Sequence, residues 1–165
     1  MMNLIERVMG MQTKIAVFVD VDGVLNSDEF AKHCLEEEDY DPFDCDDLDP
    51  RALRNLKRIV DETGASIILS SSWRWDEVAL KAVKNHLKTF GMELEDTTIM
   101  DVMKTLSRTD EIKLYLDEHP SITKYVILDD AEIKEPLADH WVRCLFKNGL
   151  TKKLADEAIQ ILKEK

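Results

Sequence analysis

Three short apolar runs divide this 165-residue chain, and each stops abruptly in polar residues: Lys14-Ile15-Ala16-Val17-Phe18-Val19, then Ser66-Ile67-Ile68-Leu69, then Lys124-Tyr125-Val126-Ile127-Leu128. Continuous β-branched and aromatic runs of this length lack the polar alternation of a half-exposed strand, and they predict strands covered on both faces, as in a parallel sheet. Between them the apolar period changes to that of a helix. Asp49-Pro50 reads as an N-cap with proline in the first turn, followed by Leu53, Leu56, Ile59 and Val60 and closed by Gly64. A second helix is predicted from about residue 76 to residue 90, with Val83, Leu87 and Phe90 inward and Gly91 as its stop. A third follows Ser107, where Ser107-Arg108-Thr109-Asp110 approximates a capping box and Ile112, Leu114, Tyr115 and Leu116 supply the apolar face before Pro120. Trp141-Val142-Arg143-Cys144-Leu145-Phe146 reads as a further strand, and Thr151 caps a last helix through Leu154, Ala158, Ile161 and Leu162. Strands alternating with helices predict an α/β fold, a doubly wound parallel sheet with right-handed crossovers.

The length suits one domain, expected over residues 13–165 after an N-terminal extension at 1–12 that carries no readable chemistry. No apolar stretch approaches the ~20 residues needed to span a bilayer, and the first dozen residues lack the apolar centre of a signal peptide. Cys34, Cys45 and Cys144 form no CxxC pair and cannot all pair with one another, which agrees with a reducing compartment; a cytoplasmic protein without membrane partners is expected. The net charge of −12 is concentrated in one place: from Asp28 to Asp49 eleven acids face one lysine, leaving the remainder nearly balanced. Residues 27–49 are expected to form a solvated acidic loop or flap, too short for a folded cap domain. As a lid it would repel polyanions, so charge disfavours extended nucleic-acid contact.

Chemistry enters where the apolar runs stop. The first ends in Asp20-Val21-Asp22, the third in Asp129-Asp130, and the second in Ser70-Ser71-Ser72-Trp73-Arg74. A parallel sheet brings these strand ends to one edge, where open α/β sheets bind ligands. Carboxylates this close repel unless one holds a proton or a cation lies between them, and a hard, oxygen-seeking ion such as Mg2+ suits them. An EF-hand loop beginning at Asp20 is excluded because Leu25 stands where Gly is needed and Ala31 where Glu is needed. The glycines, at 10, 23, 64, 91 and 149, are too scattered for a Walker A loop or a dinucleotide fingerprint. A receiver-type phosphoacceptor would need a lone Asp on the middle strand, which here ends in serine. The four histidines, His33, His86, His119 and His140, show no metal-ligand spacing and read as surface or core residues.

The strings DVDGVLN, LSSSWR and VILDD, in this order and setting, resemble the haloacid dehalogenase-like (HAD) phosphohydrolase superfamily. They look most like its small phosphatase-like subgroup, the HAD domain of RNA repair proteins. The resemblance runs from Lys14 to the end and implies a Rossmann-like core with little or no cap. It implies a Mg2+-dependent phosphomonoesterase in which Asp20 attacks phosphorus to form an aspartyl phosphate and Asp22 serves as general acid and base. Mg2+ would be held by Asp20, the backbone carbonyl of Asp22 and Asp129, with Asp130 either a ligand or a water-mediated partner. The hydroxyl that meets the phosphoryl group is expected from Ser71, with Ser70 as runner-up. The neutralising cation is expected from Arg108 at a helix start, ahead of Lys113 and Lys104. Trp73 reads as a core residue, and Arg74 as either a phosphate clamp or a surface ion pair. The substrate would be a nucleotide, a nucleic-acid end or another phosphate ester. The competing reading is a non-catalytic module of the same fold that binds metal or a partner protein, although such a relative is expected to have lost one of the four acids.

Overall fold

The computed structural model describes residues 13–36, 48–98 and 105–164. The expected extension at 1–12, Lys104, Cys45 and most of the acidic run therefore lie outside the described residues. In chain order the elements are β1 (Lys14–Val19), α1 (Asp28–Leu35), α2 (Pro50–Thr63), β2 (Ser66–Leu69), α3 (Glu77–Thr89), β3 (Leu94–Thr97), α4 (Arg108–Glu118), β4 (Ile122–Asp129), β5 (Trp141–Arg143) and α5 (Lys152–Glu164), with short 3-10 turns at Ser72–Trp75 and Ala138–His140. The strands form one sheet in the order β3-β2-β1-β4-β5, and every pairing is parallel.

Strand alternation sorts the core into two faces. Val17, Val19, Ile67, Leu69, Val126 and Leu128 point to one side, where Leu53, Leu56 and Ile59 of α2, Val83 and Leu87 of α3, and Ala155, Ala158 and Leu162 of α5 cover them. Ala16, Phe18, Ile68 and Ile127 point to the other side and meet Ile112 and Tyr115 of α4, with Ile133 and Leu137 from the loop after β4. Phe18 is fully buried there, its ring edge-on to those of Tyr115 and Tyr125 at centroid distances of 5.7 and 6.1 Å. His119 and His140 stack on those two tyrosines, so both are packing residues. Helices on both faces make the sheet doubly wound, as expected. The chain turns outward in opposite directions from β1 and β4, and the crevice between their carboxyl ends is where such sheets bind ligands.

The caps follow the sequence. Asp49 Oδ1 accepts from Arg51 N at 2.8 Å, Ser107 Oγ from Asp110 N at 3.2 Å, and Thr151 Oγ1 from Leu154 N at 3.4 Å. Three elements differ from expectation. The acidic segment begins as a helix, α1, because Ser27 Oγ accepts from Phe30 N and Asp28 and Glu29 sit in the first turn, where negative charge complements the helix dipole. Among the described residues this one helix is all that stands between β1 and α2. β3 has no apolar signature because it is an edge strand paired only to β2; its acids are tied by Lys14 to Glu95 and by the Tyr115 hydroxyl to Asp96, each at 2.8 Å. β5 ends at Arg143 instead of Phe146, since the chain turns back there to pair Leu145 with Gly149, which leaves Leu145 and Phe146 exposed. Leu114 is also exposed, on the solvent side of α4.

After β1 the chain makes a tight turn in which Leu25 N and Asn26 N both donate to Val21 O. Gly23 sits in this turn at φ +74°, and a Cβ placed on it would lie 2.9 Å from the Asp130 carboxylate. The glycine therefore does two things, adopting a left-handed conformation and letting the β1 turn approach the end of β4. Gly23→Ala should lower the unfolding free energy by about 1–2 kcal/mol from the backbone alone, with more lost as Asp130 is displaced. Urea denaturation of the two proteins measures this.

Candidate active site

The ladder hydrogen bonds continue past the strand ends, Asp20 N donating to Leu128 O and Ser70 N to Val19 O, each at 3.0 Å. Val19 pairs with both Leu69 and Leu128, so Asp20, Ser70 and Asp129 lie side by side one residue further on, on the face of Phe18, Ile68 and Ile127. Asp20 and Asp129 are buried, and Asp130 is half-buried beside them. One carboxylate oxygen from each of Asp20, Asp129 and Asp130 lies within 4.8 Å of the others. Burial pushes both inner acids up, that of Asp129 to about 7 with the neighbouring Asp20 charge adding to it; Asp20 is held back by Arg108 and by hydrogen bonds from the Ser71 hydroxyl and Val21 N.

A cation reaches these acids from the helix that covers their face. Arg108, first residue of α4, places Nη2 3.6 Å from Asp20 Oδ1 and Nε 2.9 Å from Asp129 Oδ2. The Nε–H is not aimed at that oxygen, so neither atom is hydrogen-bonded among the described residues despite the close approach of opposite charges. Lys113 stands five residues on, about 140° round the helix from Arg108, and is exposed. The structure thus brings Arg108 to the acids and not Lys113. Both serines are buried, but they are engaged differently. The Ser71 hydroxyl holds the Asp20 acid down and its oxygen accepts from Trp73 N at 3.3 Å, whereas Ser70 Oγ has no hydrogen-bond partner among the described residues.

Asp22 points elsewhere. Its two oxygens accept from Asn26 Nδ2 and Trp73 Nε1, each at 3.0 Å, so its side chain stands outside the three-acid group and only its main chain, the expected ligand, is left for a metal. Trp73, read from the sequence as a core residue, does pack against the core but also donates to this carboxylate. Arg74 is neither a phosphate clamp nor a surface pair. Its side chain is 1% exposed, Nη2 lies 2.7 Å from Glu111 Oε1, and Nη1 donates to Ser71 O at 2.5 Å. Glu111 passed unnoticed in the sequence, although its spacing of three from Arg108 puts the two on one helix face; its Oε2 accepts from Arg108 Nη1 at 2.9 Å. A separate cavity of about 450 Å3 between α1, α2 and α3, lined by Phe30, Leu48, Arg51, Arg54 and Phe90 among others, includes none of these acids.

The donor set suits a hard divalent cation: three carboxylates from two strand ends, one of them with a buried oxygen, Asp129 Oδ2, that no hydrogen bond satisfies among the described residues. With a guanidinium and an uncommitted hydroxyl on the same face, the arrangement can neutralise and orient an anionic group beside a buried carboxylate. No helix among the described residues is long and apolar enough to cross a membrane. Neither a curated protein nor a solved structure matches the chain. Residues 16–155 match the family described as the HAD domain in Swiss Army Knife RNA repair proteins, a span that takes in all three strand-end motifs and Arg108. The chain belongs to that HAD family, and the match supports a HAD-type hydrolase.

Proposed function

We propose that the chain is a Mg2+-dependent phosphomonoesterase working through an aspartyl phosphate on Asp20. The observation that carries this reading is the placement of Asp20, buried at the end of β1 with Arg108 on one side, Asp129 and Asp130 on another, and the open Ser70 hydroxyl on its own face. Asp20, Asp129 and Asp130, with the Asp22 carbonyl, would hold Mg2+, which when bound supplies positive charge against the phosphoryl oxygens. Arg108 and Ser70 bind and orient the phosphoryl group, while Ser71 fixes the Asp20 carboxylate through its hydroxyl. An Asp20 oxygen forms a bond to phosphorus as the bond to the leaving oxygen breaks, and protonated Asp22 gives its proton to that oxygen. Asp22 then takes a proton from the water that attacks phosphorus, the bond to Asp20 breaks, and inorganic phosphate leaves with the protein restored. Trp73 and Asn26 hold the Asp22 carboxylate throughout, so its proton moves from a fixed position.

For the substrate we propose a phosphate monoester at a nucleic-acid end, or a nucleotide. The family's occurrence in RNA repair proteins supports this. The acidic residues 28–49 argue that contact stays close to the terminal phosphate and does not extend along a long strand. The domain is taken as residues 13–165. The cytoplasm is the proposed setting, since Cys34, Cys45 and Cys144 form no CxxC pair and cannot all pair with one another.

With p-nitrophenyl phosphate and MgCl2, Asp20→Asn should lose turnover by roughly a thousandfold or more, and a chelator should abolish it in the parent; equal turnover by both proteins excludes Asp20 as nucleophile. Trp73→Phe keeps the ring but removes the donor to Asp22, so kcat should fall about tenfold, the worth of one hydrogen bond to a charged group, with KM little changed. Because burial raises the Asp20 and Asp129 pKa values in the folded state, the protonated forms favour folding at low pH. In chelator, the contribution of these two acids to stability should therefore be fullest below about pH 4 and lost as the pH rises through about 7. Mg2+ should raise the melting temperature more at about pH 8 than at about pH 5, because its carboxylate ligands must lose their protons first. Thermal unfolding across that range measures both.

A further inference from the structure

The buried pair Arg74 and Glu111 lies behind the phosphate-facing groups and takes no part in the chemistry described above. Both side chains are nearly inaccessible, at 1% and 6% exposed. Each reaches two partners. Arg74 gives Nη2 to Glu111 Oε1 and Nη1 to Ser71 O; Glu111 gives its other oxygen to Arg108 Nη1. Ser71 is tied to Asp20 through the ladder bond from Ser70 N to Val19 O and holds the Asp20 acid down, and Asp20 faces Arg108 Nη2 at 3.6 Å. The contacts close into a ring that runs Asp20, Ser71, Arg74, Glu111, Arg108 and back to Asp20, joining the end of β1, the turn after β2 and the first turn of α4.

We infer that Arg74 and Glu111 are a positioning pair that aims Arg108 at the phosphoryl group and sets it relative to Ser71. This rests on the reading that Arg108 receives phosphoryl oxygens. An arginine side chain carries several rotatable bonds, and placing it without help forfeits conformational entropy. Glu111 takes up Nη1, which leaves Nη2 and Nε as the edge of the fork turned toward Asp20 and Asp129. The ring also explains why an arginine is buried at position 74 at all. Leucine or methionine would fill the space without the desolvation that burial imposes on a guanidinium, but neither could hold a carbonyl and a carboxylate in two directions at once. Arg74 stacks over the Trp75 ring at 5.0 Å, which fixes the plane of its fork.

The test compares the full-length parent, Glu111→Gln, Arg108→Ala and the double variant by turnover of p-nitrophenyl phosphate with MgCl2 and by the competitive inhibition constant of inorganic phosphate, with urea unfolding run on each. Glu111→Gln should raise the phosphate inhibition constant about tenfold, and Arg108→Ala about a hundredfold. In the Arg108→Ala background Glu111→Gln should change the constant by less than about twofold, because a residue that acts through Arg108 has nothing left to aim. A paired Arg74→Met and Glu111→Leu replacement, which removes the two opposite buried charges together, should retain most of the stability and reproduce the Glu111→Gln effect on phosphate. Equal losses from Glu111→Gln in both backgrounds, or lost stability with an unchanged inhibition constant, would assign the pair to folding alone and overturn the inference. Should Arg108→Ala itself leave phosphate inhibition unchanged, the assignment of Arg108 fails first and the inference goes with it. A parent protein that hydrolyses no phosphate ester fails the proposed function as a whole.

Discussion

Like charge held out of water at the crevice between β1 and β4 governs the rest of this structure. The parallel sheet forces Asp20 and Asp129 into neighbouring positions one residue beyond their paired strands, and the crossover helix α4 covers the face they share. Two ionised carboxylates so placed, with Asp130 beside them, would cost several kcal/mol unless compensated. The fold offers three forms of relief: a proton, which the raised acids accept; the guanidinium of Arg108; and the approach of a divalent cation. Each is also a requirement of the phosphoryl transfer proposed above, which would give the instability of the acid cluster and its use one origin.

Relief by Arg108 has a structural cost that explains the layer beneath it. An arginine at the start of a helix would meet the acids in many rotamers, and its own charge must be balanced from behind. Glu111 supplies that balance, and Arg74 then balances Glu111. Charge alternates in sign from the strand ends into the interior, and each step is held by a contact of 2.9 Å or less. Arg74 also donates to a main-chain carbonyl, that of Ser71, which carries no charge to balance.

How much of this could be read from the chain depended on the range of the interactions concerned. Apolar runs and caps are local, and they placed β1, β2, β4 and the helices from α2 onward, together with the acids at the strand ends. β3 escaped notice because an edge strand paired on one side has no need of apolar residues, and α1 because its capping serine stands before a charge run that resembles a solvated loop. The site divided in the same way. Asp20, Asp129, Asp130 and the serines are set by strand position and were legible, whereas the choice of Arg108 over Lys113 needed only helix rotation. Trp73, Arg74 and Glu111 take their meaning from partners 51 and 37 residues away, a separation no local pattern encodes. The sequence reading of Arg74 assumed that a cation after a strand end faces solvent; the 3-10 turn at Ser72–Trp75 folds it inward instead.

The charge inventory of the cluster limits the order in which ligands can enter. With every group ionised, Asp20, Asp129, Asp130 and Glu111 against Arg74 and Arg108 leave a net charge of −2, and the half-buried Asp22 stands close by. A phosphate monoester dianion entering that field would meet net repulsion, for Arg108 is already opposed by Asp20, Asp129 and Glu111. Protonating Asp129 relieves one unit of charge but also weakens the carboxylate set. A divalent cation relieves two units without consuming a proton, and it leaves Arg108 free to turn its outer edge from the acids to the phosphoryl oxygens. Phosphate and divalent cation should consequently favour each other's binding, with Arg108 as the group whose partners change between the two states.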